Sequence, residues 1–294
     1  MTASTVAPPS ASGPSASSEL ALQIRKQSRR DATKALSTSV MTFALTLLAI
    51  LAIWQGSIWA FKLSPYIAKS PVDVWNYLFT TQESAAIRSE LASLMGESLL
   101  DAAVGFSAGL ALALTGAMIF HLSKGVENAL MPMALLLRSV PLIAFAPVII
   151  MIFGRAFMTT AVMGGIVVLF PALVTIAFGL KSASPQMTDV VTVYGGSARA
   201  ALWKVAMPAS LPAFFAAVRI SIPGAITGAL LAEWLATGRG IGSAVNAYIP
   251  QAQFSSLWAA VVLVTVVSLG LYNLVLILEN TVLARMGMHP SRSI

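Results

Sequence analysis

Six long apolar runs, at about 36–61, 94–120, 130–153, 157–180, 210–235 and 256–284, constrain this chain more than any other feature. Each is near the roughly 20 residues that a helix needs to cross the hydrocarbon core of a bilayer. Composition points the same way. The chain is 57% hydrophobic and only 10% charged, with mean hydropathy +0.83, whereas soluble domains carry about 25% charged residues. The expectation is an all-α integral membrane protein with six transmembrane helices.

There is no cysteine, which excludes disulfides and thiolate metal sites, and only two histidines, His121 and His289. The net charge of +7 brings nucleic acid to mind, but no basic cluster is interleaved with aromatics in a soluble domain. The excess is better read as topogenic. Residues 1–34 are rich in Ser, Ala, Thr and Pro and read as a disordered tail. Arg25, Lys26, Arg29, Arg30 and Lys34 lead into the first run. The basic region starts too late, and the run is too long, for a signal peptide. This places the N-terminus in the cytoplasm, and six spans return the C-terminal tail, 289–294, to the same side. On that topology eleven Lys and Arg fall inside and five outside, as the positive-inside rule requires. Without the tail the count is six against five, so the tail decides it.

Between the first two runs, Ser70-Pro71 opens a short amphipathic helix with Val72, Trp75 and Leu78 on one face. Trp54, Trp59 and Trp234 fit an interfacial aromatic belt. Two runs contain GxxxG, Gly105 to Gly109 and Gly224 to Gly228, a spacing that lets helices approach closely within the chain. Pro132, Pro141, Pro147, Pro171 and Pro223 interrupt runs three to five. Such breaks are tolerated where neighbours or a water-lined cavity satisfy the freed carbonyls, which favours a transporter over an inert anchor.

Among the charges inside runs, Arg138, Arg219 and Glu233 stand out. Intramembrane ionisable groups are costly and mark pathways, so these three are the candidate translocation-path residues. Two arginines bias the path toward an anion. Both lie near a run's cytoplasmic end, where snorkelling also accounts for them. Glu233 also suits capping or pairing at the outer interface. Gly238-Arg239-Gly240-Ile241-Gly242 reads as an extracytoplasmic turn and not a phosphate cradle, because the strand–turn–helix context is missing. No G-x-x-x-x-G-K-[ST] occurs anywhere, so the chain carries no P-loop ATPase of its own. An in-membrane Asp/Glu/His series of the kind proton-coupled carriers use is also missing.

The connector between the fourth and fifth runs is the most patterned stretch. Ser184-Pro185 reads as a helix start, with a hydroxyl to cap and proline in the first turn. Met187, Val190, Val191 and Tyr194 recur at helical spacing on one face. Gly195-Gly196 stops that helix, Ser197 caps a second, and Pro208 ends it. A short apolar-striped helix held between membrane spans is a surface that docks something.

From Asp189 to Pro208 the spacing resembles the EAA motif of bacterial ABC importer permeases, E-A-A, three, G, nine, I, one, L-P. Here the positions are Asp189-Val190-Val191, Gly195, Val205 and Met207-Pro208. Asp replaces Glu, two valines replace the alanines, Val replaces Ile and Met replaces Leu. LLLRSVPLIAFAPVIIMIFG and AVRISIPGAITGALLAEWLATGRGIG resemble the third- and fifth-span signatures of the nitrate/sulfonate/taurine/bicarbonate subfamily. The resemblance implies a MetI-like type I permease fold over 35–288, with a coupling loop at 181–210. It implies a bacterial inner-membrane location, a second permease copy in a homodimer, two separate ABC ATPase subunits holding ATP-Mg, and an extracytoplasmic binding protein. It gives Asp189, Val190, Val191, Tyr194, Gly195, Val205, Met207 and Pro208 to ATPase coupling. No cofactor, metal or catalytic residue is expected in the chain itself. Members of the subfamily are associated with nitrate, bicarbonate, taurine, alkanesulfonates and some aromatic or pyrimidine compounds. An ion-gradient-driven carrier and a non-transporting membrane anchor are the competing readings.

Overall fold

The computed structural model describes residues 41–42 and 44–288, and all of its regular structure is helical. The two tails, with His289 and the basic cluster at 25–34, lie outside the described residues. The chain divides into two units, Met1–Pro71 and Val72–Ile294. The first holds α1, Ala44–Ala60, an apolar helix of 17 residues. Then come α2 (Pro71–Phe79), α3 (Ser84–Leu122), α4 (Lys124–Arg138), α5 (Leu142–Phe153) and α6 (Phe157–Lys181). The series ends with α7 (Pro185–Val193), α8 (Ala198–Ala201), α9 (Met207–Ala232), α10 (Gly240–Tyr248) and α11 (Phe254–Arg285). Among the described residues, four helices are long and apolar enough to cross a membrane, and the bent pair α4–α5 makes a fifth.

The centre of the second unit is a three-helix crossing of α3, α6 and α9, built on small residues. A methyl group added at Gly105 would lie 2.9 Å from the Gly164 Cα, and one at Gly228 would lie 2.8 Å from the same atom. Gly109 faces the Gly165 carbonyl just as closely, and Gly224 faces Val167. Both GxxxG pairs are therefore used inside the chain, against a Gly164-Gly165 step on α6. Lipid tails are as apolar as leucine, so helices in a bilayer gain from close van der Waals contact and not from hydrophobic burial. A core of alanines continues the seam, with Ala113, Ala117, Ala172, Ala217 and Ala229 fully buried or nearly so.

Three boundaries differ from expectation. The second run becomes a helix of 39 residues that starts at Ser84, ten residues before 94. Its added turns are polar, so hydropathy alone could not extend the helix there. The third run is not one straight span: α4 ends at Arg138, α5 starts at Leu142, and the two are bent by 103°. Pro141 sits at the break in extended conformation (φ −64°, ψ 119°), and proline disfavours a helical residue before it. Finally, Pro208 does not end the second short helix. Helical backbone runs unbroken from Ala198 to Thr237, because a π turn at Leu202–Ala206 precedes the proline. The Met207 N–H reaches back five residues to the Leu202 carbonyl, and this wider turn makes room for a residue that cannot donate.

Candidate functional site

The patterned connector folds as two helices around a glycine corner. Pro185 occupies the first turn of α7, where its missing N–H costs nothing. The Ser184 hydroxyl does not cap the helix as expected; it donates to the Gln186 side chain at 2.6 Å. At the other end the chain makes a Schellman stop. The Gly196 N–H donates to the Val191 carbonyl at 2.8 Å and the Gly195 N–H to the Thr192 carbonyl at 2.9 Å. Gly195 has φ +78° with open space around it, so its glycine is needed for conformation. Gly196 is needed for space, since a Cβ there would lie 2.7 Å from the Val191 carbonyl oxygen. Ser197 then caps α8, accepting from the Ala200 N–H.

No residue of α7 is buried. Met187 and Val190 are exposed, Val191 is half-buried, and Tyr194 just beyond is 88% exposed. Asp189 is exposed and forms no ion pair among the described residues. Along α8 and the π turn, Leu202 and Ala206 are buried while Trp203 is exposed; Val205, Met207 and Pro208 are half-buried at the root of α9. The connector is thus rooted at both ends and apolar but uncovered in the middle.

Its N-terminal root carries a charge cluster. Glu127 on α4, 4% exposed, pairs with Lys124 at 3.3 Å and with Lys181 at the end of α6. Lys181 is three residues before Ser184, so a buried carboxylate fixes the point from which the connector leaves.

The three candidate path residues, Arg138, Arg219 and Glu233, are not brought together. Arg219 on α9 is 14% exposed and pairs with Glu279 of α11 at 3.1 Å, with its guanidinium over the Tyr272 ring. Glu233 is 0% exposed. It accepts from the Ser98 hydroxyl and from the Gly242 N–H, both at 2.8 Å. Ser98 also accepts from the Ile241 N–H at 2.9 Å, and Glu97 accepts from the Gly240 N–H at 3.2 Å. The amides of the glycine turn at the start of α10 are thus spent on the protein's own groups, Glu97, Ser98 and Glu233. Arg138 differs from both. It is exposed at the end of α4, beside the bent break, and lines an open groove of about 470 Å³ between α5, α6 and α9.

A family model described as "Binding-protein-dependent transport system inner membrane component" matches residues 105–284, which span α6, the connector, Glu127, Glu233 and Glu279. The chain belongs to that family. The permease is 24% identical over 239 residues to the formylaminopyrimidine transport permease protein ThiX of Halalkalibacterium halodurans, covering 81% of this chain and 93% of that protein. It is 26% identical over 234 residues to the putative aliphatic sulfonates transport permease protein SsuC of Bacillus subtilis, covering 80% and 83%. Its matched relatives put it with the nitrate, sulfonate and taurine group of ABC importer permeases. In fold it resembles a bacterial ABC transporter involved in the import of the acidic polysaccharide alginate, with TM-score 0.52 and 15% identity over 88% of this chain and 99% of that one. Permeases of this family are not themselves enzymes; ATP hydrolysis belongs to partner subunits.

Several groups that organise the permease were not singled out by sequence reasoning: Glu127, Glu279, Ser98, Glu97 and the Gly164-Gly165 step. Glu127 and Glu279 were legible in principle, as lone acids facing lysines or arginine across an apolar bundle. Ser98 carried no signal, because a hydroxyl in a small-residue stripe looks like packing.

Proposed function

We propose that this chain forms the translocation pathway of an ATP-driven importer for a small anionic solute, and that α7 is its coupling helix. The observation that carries the reading is the bare apolar surface of α7, held between two rooted ends. A helix of nine residues is too short to be stable alone in water, and this one gains no buried contact of its own. It is completed by a partner. The EAA-like spacing supports a P-loop ATPase as that partner, on the cytoplasmic side, since the permease has no P-loop. Val190, Val191 and Tyr194 supply apolar contact, Asp189 a polar one at the docking surface, and the Gly195-Gly196 stop sets the angle of the helix. Val205, Met207 and Pro208 transmit displacement into α9.

In this account two permease copies pair, α1 provides the sixth span, and both termini face the cytoplasm. Closure of the ATPase dimer draws the two coupling helices together and rocks the paired permeases between inward- and outward-facing states. Selection of the solute rests largely with an extracytoplasmic binding protein, and ATP-Mg stays on the ATPase subunits. Reconstitution with the ATPase in liposomes tests this. Uptake is expected only with ATP inside, and uptake that follows a proton or sodium gradient without ATPase would make the chain a secondary carrier. Partner binding without flux under any condition would make it an anchor.

A further inference from the structure

Two buried carboxylates pair across helices. Glu279 ties α11 to α9 through Arg219, and Glu127 ties the first turn of α4 to Lys181, the last residue of α6. The second pair lies at the root of the connector. Lys181 is three residues before Ser184, and Leu180 beside it is fully buried, so the end of α6 is anchored where the connector departs. A glutamate in the first turn of α4 would suit the helix dipole equally well in water. Burying its carboxylate costs desolvation, which only close pairing offsets. Lys124 sits in the same turn, with an exposed side chain, and cannot join two helices. The burial of Glu127 therefore serves its pairing with Lys181.

We infer that Glu127 is a positioning residue for coupling, a clasp through which displacement of α7 reaches the bent pair α4–α5. This rests on the proposed coupling role of α7 and adds a route by which its motion spreads. The two roots of the connector differ. The C-terminal root is part of one unbroken helix from Ala198 to Thr237, so α9 follows it through the backbone. On the N-terminal side, α4 has no such continuity with the connector. It is joined to α3 at Ser123 and to α5 at the 103° bend. Val126, Met131 and Ala134 of α4 pack against the core, but apolar contact is non-directional and lets one helix slide on another. A charge-assisted bond to a buried carboxylate fixes one atom of α4 to one of α6. Among the described residues, Glu127–Lys181 is the ion pair that α4 makes with another helix.

The chain has no cysteine, so each cysteine introduced takes a single spin label. Thr192→Cys labels α7 away from its apolar stripe and Ala129→Cys labels α4; both positions are exposed. Each is assembled separately into the full complex with its ATPase and binding protein in nanodiscs. The distance between the labels of the two permease copies is measured by double electron–electron resonance, without nucleotide and after trapping with ATP and vanadate. In the otherwise unsubstituted complex both distances are expected to change on trapping, the one at 192 by shortening. Lys181→Met leaves Glu127 paired with Lys124, so the carboxylate is not stranded. The change at 192 should persist in it, and the change at 129 should be lost. Glu127→Gln should have the same effect, and the two combined should add nothing to either alone. Lys181→Arg should retain both changes, as should Lys124→Met, which removes a pair within one turn. A change at 129 that survives both Lys181→Met and Glu127→Gln would overturn the clasp. So would its loss in Lys124→Met, its absence from the unsubstituted complex while 192 moves, or loss of both changes in Lys181→Met, which would make the pair framework only. An unmoved distance at 192 in the unsubstituted complex would instead sink the coupling reading on which the clasp rests.

Discussion

The two ends of the long helix Ala198–Thr237 use the same local devices for opposite purposes. Each end carries a π turn, Leu202–Ala206 at one and Glu233–Thr237 at the other. Beside each lie glycines with positive φ, Gly195 at +78° near the first, Gly238 at +67° and Gly240 at +76° beyond the second. At the Glu233 end the turn packs shut on a buried carboxyl, with both of its donors on Oε2, and Oε1 left without a hydrogen-bond partner among the described residues. A Cβ on Gly240 would overlap the Glu233 carboxyl, and the amides at the start of α10 are spent on Glu233, Glu97 and Ser98. At the α7 end nothing closes over the apolar face, and a Cβ on Gly195 would meet open space. A sealed corner is complete within the chain, so damage to it should appear as lost stability. An open corner is finished by something else, so damage there should appear as a lost partner in a protein that still folds.

The largest effect is expected from Gly240→Leu, which combines a forbidden φ with overlap on a buried carboxyl. It should cost more than about 3 kcal/mol, seen as a marked fall in thermal midpoint in detergent. A midpoint close to that of the parent would show that the seal is not structural and would break the contrast. Next comes Arg219→Ala, which leaves Glu279 buried and unpaired and should cost about 3 kcal/mol. Arg219→Leu combined with Glu279→Leu should recover most of that. If the single change is silent for stability but lowers uptake of an anion, the pair belongs to the path and not to the framework. The smallest effect on stability is expected from Gly195→Val, about 1–2 kcal/mol for a branched side chain at a left-handed position. Insertion should persist while ATPase co-purification and uptake fall. Parallel loss of all three would mean that the two corners do not differ in kind.

The framework was legible in the sequence because its signals are long or periodic. Apolar runs marked the helices and GxxxG marked the Gly105–Gly228 seam, but of the five prolines expected to interrupt runs only Pro141 sits at a break, while Pro132, Pro147, Pro171 and Pro223 lie inside helices. Boundaries set by polar helical turns were not legible: nothing in hydropathy separates the Ser84–Gly96 turns of α3 from a loop. Pro208 misled for a related reason. Proline breaks an α-helix, but a π turn upstream absorbs the same defect, and five residues such as LWKVA carry no mark of it. Among candidate site residues, the α7 face and the glycine stop were readable from spacing. The fates of Arg219 and Glu233 were not, since both are settled by residues far along the chain. Ser98 is 135 positions from Glu233, and Glu279 lies on another span. A charge in an apolar run announces a constraint, and only the tertiary partner tells framework from path.

Whether the open corner is a docking surface can be asked directly at Val190, which is 54% exposed at the centre of α7. Val190→Asp places a charge on that apolar face without touching any buried contact. The permease carrying it should insert normally, keep its thermal midpoint within about 0.5 kcal/mol of the parent, and fail to retain the ATPase through purification. Retention of the ATPase at the parent level, with ATP-driven uptake unchanged, would contradict the account.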